Sequence, residues 1–142
     1  MILYLDTSSL VKLYVDEPGS ADVRQLVEQA DIVAASVVAY PEARAALARR
    51  RREGSLTVAG HRRTRVALDG DWPHVLALDV SGPLARIAGD LADRHRLRGL
   101  DAAHLAAYLA FAREFPDEDV RFSSADRPLE RAARLARRRR RP

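Results

Sequence analysis

The sequence lacks several features that would place it in particular classes of protein. It contains no cysteine, which excludes a disulfide framework and any thiolate metal site and fits a reducing compartment. No run of eighteen consecutive apolar residues occurs, so we expect no transmembrane helix and no membrane association. Asp6 interrupts the first apolar run, and no basic segment precedes that run, so no signal peptide is predicted. These absences together predict a cytoplasmic protein.

Lysine is almost absent, although the chain is basic. Lys12 is the only lysine among 24 basic residues, the net charge is +4 and the pI is about 10.1. Arginine suits bidentate binding of phosphate, so this bias is compatible with a nucleic-acid ligand, and genome composition explains it equally well. Much of the excess lies in Arg49–Arg52 and Arg137–Arg141, and we interpret the second run as a solvated tail.

The 142 residues, 47% of them hydrophobic, predict one globular domain. Short apolar runs without alternation are typical of strands that are buried on both faces. Three such runs occur, at Met1–Leu5, Ile32–Ala35 and Leu76–Leu78, and Val120–Ser123 is predicted to be a fourth strand. Amphipathic stretches between them predict the order β-α-α-β-α-α-β-α-α-β-α, hence a parallel sheet with helices on both faces. In such sheets ligands bind at the carboxyl ends of the strands.

The helix boundaries follow from capping residues and breakers. We expect Ser20, Ser36 and Ser81 to cap helices, and Asp101 and Asp126 to begin two more. Pro41 is expected to kink the third helix. Residues 55–68 are predicted to be helical, and residues 69–73 are predicted to form a loop anchored by the only tryptophan.

Four carboxylates from separate parts of the chain can meet at one edge of this sheet: Asp6, Glu42, Asp101 and Asp126. Each aspartate precedes a helix, so capping alone is an equally good explanation for any one of them. Glu42 has no ion-pair partner one helical turn away, and a carboxylate that adjoins the apolar stripe needs a compensating positive charge. Clustered oxygen ligands favour hard cations such as Mg²⁺ or Mn²⁺, and a phosphodiester is the substrate class that such a site suits.

Four segments resemble the PIN-domain ribonucleases, most closely the VapC-type toxins of bacterial type II toxin–antitoxin pairs. The segments are Leu5–Tyr14, Ser36–Leu47 with Glu42, Leu100–His104 and Phe122–Leu129. The resemblance extends from Met1 to about Ala136, so we define residues 1–136 as a PIN domain and residues 137–142 as a basic C-terminal tail.

The resemblance implies a three-layer α/β/α sandwich with a central parallel sheet of four to five strands. It also implies a Mg²⁺- or Mn²⁺-dependent RNA endonuclease that forms a homodimer and is silenced by a cognate antitoxin. On this basis Asp6 and Asp101 are the first candidates for direct metal ligands, and Asp126 and Glu42 complete the cluster. Ser124 matches a supporting hydroxyl residue, and Thr7 and Ser8 match the polar turn after the first acid.

Two departures from the family pattern occur. Pro41 directly precedes Glu42, and the usual apolar end of the chain is replaced by Arg137–Pro142, so a fifth strand is expected to be short or missing. For His104, one helical turn after Asp101, we favour packing or hydrogen bonding over catalysis. Asp79 is assigned to turn chemistry.

Other enzyme classes do not fit. A haloacid-dehalogenase-type phosphatase needs an aspartate where this chain has Ser8, a receiver domain needs a late lysine, and no glycine-rich phosphate loop is present. The remaining alternative is a PIN-fold module that binds RNA or a protein partner without cutting, and the presence of all four acids disfavours it.

Overall fold

The central sheet has four parallel strands in the order β3-β2-β1-β4. The strands are β1 (Ile2–Leu5), β2 (Ile32–Ser36), β3 (Leu76–Leu78) and β4 (Val120–Ser123). β1 lies between β2 and β4, with Leu5 opposite Ala35 on one side and Ser123 on the other. The computed structural model describes residues 1–138, and within that range the predicted four parallel strands are confirmed and a fifth strand is absent.

Helices cover both faces of the sheet, as the apolar strands predicted. They are α1 (Thr7–Val11), α2 (Ser20–Gln29), α3 (Ala39–Arg52), α4 (Val58–Asp71), α5 (Gly82–His95), α6 (Gly99–Glu114) and α7 (Arg127–Arg138), with a 3-10 turn at Trp72–His74. Because successive side chains of a strand point to opposite faces, Leu3 and Leu5 pack beneath α1 and α3, whereas Ile2 and Tyr4 pack beneath α5, α6 and α7. The result is the predicted α/β/α sandwich.

The start of α3 differs from the prediction. Ser36 is the last residue of β2, paired with Leu78, and is not a helix cap, because extending the sheet satisfies its backbone better than a local turn. α3 begins at Ala39, which places Pro41 in the first turn. The N–H groups of a first turn have no partner within the helix, so Pro41 removes no hydrogen bond and the expected kink is not required.

Three other boundaries shift by a few residues. α4 continues to Asp71 and the 3-10 turn follows directly, so the predicted loop at 69–73 is wrong. Trp72 does pack against Tyr40, with ring centroids 5.3 Å apart. α6 begins at Gly99, and Asp101 lies in its first turn. Ser20 is the first residue of α2, where its hydroxyl donates to the carbonyl of Val15 at 2.8 Å.

The last helix extends beyond residue 136, the predicted end of the domain. α7 runs through Arg137, whose guanidinium donates to the Tyr108 hydroxyl at 2.7 Å and also contacts the Val120 carbonyl. Residues 139–142 of the predicted tail lie outside the described residues. Among the helices of residues 1–138, none has both the length and the apolar content needed to cross a bilayer.

Candidate active site

The four predicted acids lie around the carboxyl edge of the sheet in two sets of contacts, one through Asp6, Asp126 and Asp101 and one around Glu42. Asp6 follows β1 and Asp126 lies beyond β4, and the hydroxyl of Ser124 links them by donating to Asp6 at 2.7 Å and accepting from the Asp126 N–H at 3.0 Å. Thr7, the next residue after Asp6, donates its hydroxyl hydrogen to Glu42 at 2.8 Å. Four separate segments of the chain therefore contribute to one region.

Asp6 is a buried carboxylate held by neutral donors only. Its side chain accepts hydrogen bonds from the Ser8 hydroxyl at 2.7 Å, the Ser124 hydroxyl at 2.7 Å and the Ser9 N–H at 2.9 Å, and the residue is 3% exposed. The last bond makes Asp6 the N-cap of α1, as the capping interpretation predicted. Burial raises the pKa of Asp6 above its usual value, because these hydrogen bonds do not fully offset the loss of water around the charge.

Glu42 has partners after all, and they come from outside its own helix. One carboxylate oxygen accepts from the Thr7 hydroxyl and contacts His104 Nε2, both at 2.8 Å. Burial by itself would raise the pKa of Glu42, but the hydrogen bonds with His104 and Thr7 outweigh it and hold the pKa below its usual value. Both partners come from other helices, so the prediction that Glu42 has no ion-pair partner in its own helix agrees with the structure.

His104 occupies the centre of a buried polar cluster beneath the acids. It is 2% exposed, and its ring nitrogens lie 3.4 Å from the Tyr4 hydroxyl, 3.0 Å from the Thr7 hydroxyl and 2.8 Å from Glu42. The predicted hydrogen-bonding role is confirmed. Its connection to Glu42 was not foreseen, and the only signal in the sequence is a polar residue within the buried stripe one turn after Asp101.

Asp101 and Asp126 share a cation that the sequence did not reveal. Arg98, the N-cap residue of α6, donates through Nε to Asp101 at 2.9 Å, and its Nη2 lies 3.9 Å from Asp126. The Arg98 side chain is 80% exposed, so solvent screens these ion pairs. Asp126 also caps α7 by accepting from the Leu129 N–H at 2.9 Å. The available signal was an arginine one turn before an aspartate.

The hydroxyl residues after β1 and β4 join the two strand ends. Ser8 donates to Asp6 and accepts from the Ala125 N–H at 2.9 Å, and the hydroxyls of Ser9 and Ser123 lie 2.9 Å apart. This arrangement fixes the orientation of the Asp6 carboxylate.

The donor set suits a hard divalent cation in its chemistry, although the side chains are not yet arranged around one. The acids supply only carboxylate oxygens, and the buried Asp6 charge has no cation among its hydrogen-bond partners. Within residues 1–138, however, no three His, Asp or Glu side chains are grouped closely enough to hold a metal ion. Arg98, in contact with two of the acids, supplies the local positive charge in this arrangement.

Comparison with known proteins agrees with the fold. The chain belongs to the PIN-domain family, whose family model matches residues 3–135. Within that family it is similar to the proteins named Ribonuclease VapC45 and Ribonuclease VapC49 from two strains of Mycobacterium tuberculosis. Each is 37% identical over 109 residues, which cover 77% of this chain and 76% of the relative.

A solved structure shares the fold at much lower sequence identity. It is the crystal structure of VapBC2 from Rickettsia felis bound to a DNA fragment from their promoter. The TM-score is 0.56 and the sequence identity 13%, and the match covers 87% of this chain and 100% of that chain.

Proposed function

We propose that this protein is a metal-dependent RNA endonuclease that acts in the cytoplasm as the toxin of a VapBC-type toxin–antitoxin pair. The observation that supports this most directly is an acidic cluster at the carboxyl edge of a PIN-type sheet in a chain 37% identical to two proteins named as VapC ribonucleases. A homodimer and a cognate antitoxin are part of the same proposal.

Asp6, Asp101, Asp126 and Glu42 would hold Mg²⁺ or Mn²⁺, some of them through water. When bound, such an ion supplies an activated water and a counter-charge for the phosphate oxygens. The chain's own part is positioning. Ser8 and Ser124 orient Asp6, while Thr7 and His104 orient Glu42, so two acids from distant segments present fixed oxygens.

Cleavage of purified RNA tests the proposal. We expect the protein to cut structured RNA when Mg²⁺ or Mn²⁺ is added, and EDTA to stop the reaction. Asp101→Asn should lower the rate about a hundredfold, because it weakens the hold on the ion that neutralises the transition state, and loss of one stabilising interaction there typically costs that much. Asp22→Asn, an exposed aspartate in α2, is the matched control and should retain full activity. Undiminished cleavage by Asp101→Asn would refute the site assignment.

The alternative of a non-cleaving module makes a different prediction for the same protein. It would bind RNA, or a protein partner, equally well with or without added metal and leave the RNA intact. The partner proposals have separate tests. A small antitoxin gene beside this one should encode a protein that co-purifies with the chain and blocks cleavage, and light scattering should give twice the mass of one chain.

A further inference from the structure

A groove lined by arginines lies between the turn that joins α5 to α6 and the outer face of α7. Its volume is about 460 Å³. Ala132 and Leu135 contribute apolar surface, and four guanidinium side chains line it: Arg94, Arg96, Arg127 and Arg131. We refer to these four residues and the space between them as the arginine groove.

The arginine groove carries uncompensated positive charge. None of its four arginines forms an ion pair with any of residues 1–138, and no aspartate or glutamate lines it. By contrast, Arg24, Arg44 and Arg50 each pair with a carboxylate at 2.8 to 3.3 Å. Like charges gathered in one concave surface repel one another and attract an anion that can neutralise several of them at once.

The backbone at Arg96 supports a role for its side chain. Arg96 ends α5 in the left-handed conformation, with φ 55°, and it is the only residue other than glycine with positive φ within residues 1–138. Glycine is the usual residue at this position because it adopts left-handed angles without steric cost. An arginine here places a cation at the rim of the groove at the expense of backbone strain.

The groove is lined by residues that neighbour the acidic site in sequence. Arg127 directly follows Asp126, and Arg96 lies two residues before Arg98, which contacts both Asp101 and Asp126. The same two segments of the chain therefore contribute to the groove and to the acidic site. A planar guanidinium fork also matches the geometry of phosphate oxygens.

We propose that the arginine groove binds the phosphate backbone of the RNA strand on one side of the bond to be cut. This inference rests on the proposed ribonuclease function and adds to it the surface that carries the substrate. An acidic protein segment is the competing occupant, and the attachment of Arg96 and Arg127 to the segments that carry Arg98 and Asp126 favours RNA.

The test compares two double variants with the same change in charge. Arg96→Gln with Arg131→Gln removes two groove cations, whereas Arg62→Gln with Arg65→Gln removes two exposed arginines from α4, outside the groove. Binding of a fluorescein-labelled single-stranded RNA is followed by anisotropy in EDTA at several salt concentrations, with the RNA shown to be intact on a gel. Circular dichroism melts establish that both variants fold.

We expect the groove variant to bind RNA about tenfold more weakly and to reduce the slope of log Kd against log salt by roughly 1.4, because each lost contact to a single strand removes about 0.7. With added Mn²⁺, its KM should rise more than its kcat falls. The α4 variant should show much smaller changes in the same measurements.

Equal RNA affinity in the two variants would overturn the inference. The inference would also fail if the groove variant lost binding to a polyglutamate peptide and kept its RNA affinity, because the groove would then bind an acidic protein segment. The wild-type protein separates the two levels of proposal. If it cuts no RNA, the ribonuclease function fails. If it cuts RNA and the groove variant behaves like the α4 variant, only the groove inference fails.

Discussion

Replacing Asp6 by asparagine separates the two roles that the structure assigns to this residue. Asp6 caps α1 through its bond with the Ser9 N–H, and it also carries a buried charge among neutral donors. Asparagine is as good an N-cap as aspartate, so Asp6→Asn keeps the cap and removes the charge. Alanine removes both, which makes Asp6→Ala the matched comparison.

The expected magnitudes follow from those contacts. Removing a buried charge that lacks a cationic partner is favourable. At pH 7 without metal, the free energy of unfolding of Asp6→Asn should therefore equal that of the wild type or exceed it by on the order of 1 kcal/mol. Asp6→Ala loses a cap that contributes about 1 kcal/mol and leaves the Ser8 and Ser124 hydroxyls without their acceptor, so it should be about 2–3 kcal/mol less stable than Asp6→Asn.

The difference between wild type and Asp6→Asn should depend on pH in a defined direction. Since the folded-state pKa of Asp6 is raised, the folded protein binds more protons than the unfolded chain between the two pKa values, and stability falls as pH rises through that window. The excess free energy of unfolding of Asp6→Asn over the wild type should therefore reach its full size above the raised pKa and vanish below about pH 3.9, the usual aspartate value.

Urea unfolding in EDTA, followed by circular dichroism across this pH range, measures the effect. Mn²⁺ added in excess should raise the melting temperature of the wild type, because a ligand that binds only the folded state stabilises it, and should raise that of Asp6→Asn much less. Destabilisation of Asp6→Asn by more than about 1 kcal/mol at pH 7 would refute the reasoning, since the charge would then contribute to stability despite its burial.

Three further predictions concern the neighbouring residues. His104→Ala should lower the free energy of unfolding by about 2–4 kcal/mol in urea, because it removes a buried ring together with its contacts to Tyr4, Thr7 and Glu42. The folded-state pKa of Glu42 is lowered, so its contribution to stability is present above about pH 4.3, the usual glutamate value, and is lost as pH falls through the folded-state pKa. The wild type should therefore lose stability in acid faster than Glu42→Gln. Arg98→Ala removes an exposed positive charge beside Asp101 and should tighten Mn²⁺ binding about two- to fivefold in calorimetry, with Arg62→Ala unchanged as the control.

The fold was predictable from the sequence because its central strand is buried on both faces. A run such as Ile2–Leu5 has no polar alternation, and in the structure all four residues are buried. The boundaries were less predictable because they depend on competition between local and distant contacts. Ser36 is a good cap by composition, yet pairing with Leu78 of the neighbouring strand keeps it in the sheet.

Two helix caps among the candidate acids were predictable from the sequence, and the partners of the acids from distant segments were not. The Asp6 and Asp126 caps could be inferred because the capped N–H lies three residues further along the chain. His104 contacts Glu42, which is 62 positions away, so only the folded chain reveals that pair. Arg98 was accessible in principle from its spacing to Asp101, but its approach to Asp126 was not.

The partners of the four acids differ in a way that bears on how each would respond to a cation. Glu42 is hydrogen-bonded to Thr7 and His104, and His104 is buried and cannot move away without losing its contacts to Tyr4 and Thr7. Asp101 and Asp126 are compensated by Arg98, which is exposed and can turn into solvent at little cost. Asp6 has only neutral partners. A divalent ion would therefore gain most at Asp6, whereas it would compete with Arg98 at Asp101 and Asp126 and with the hydrogen bonds of His104 and Thr7 at Glu42.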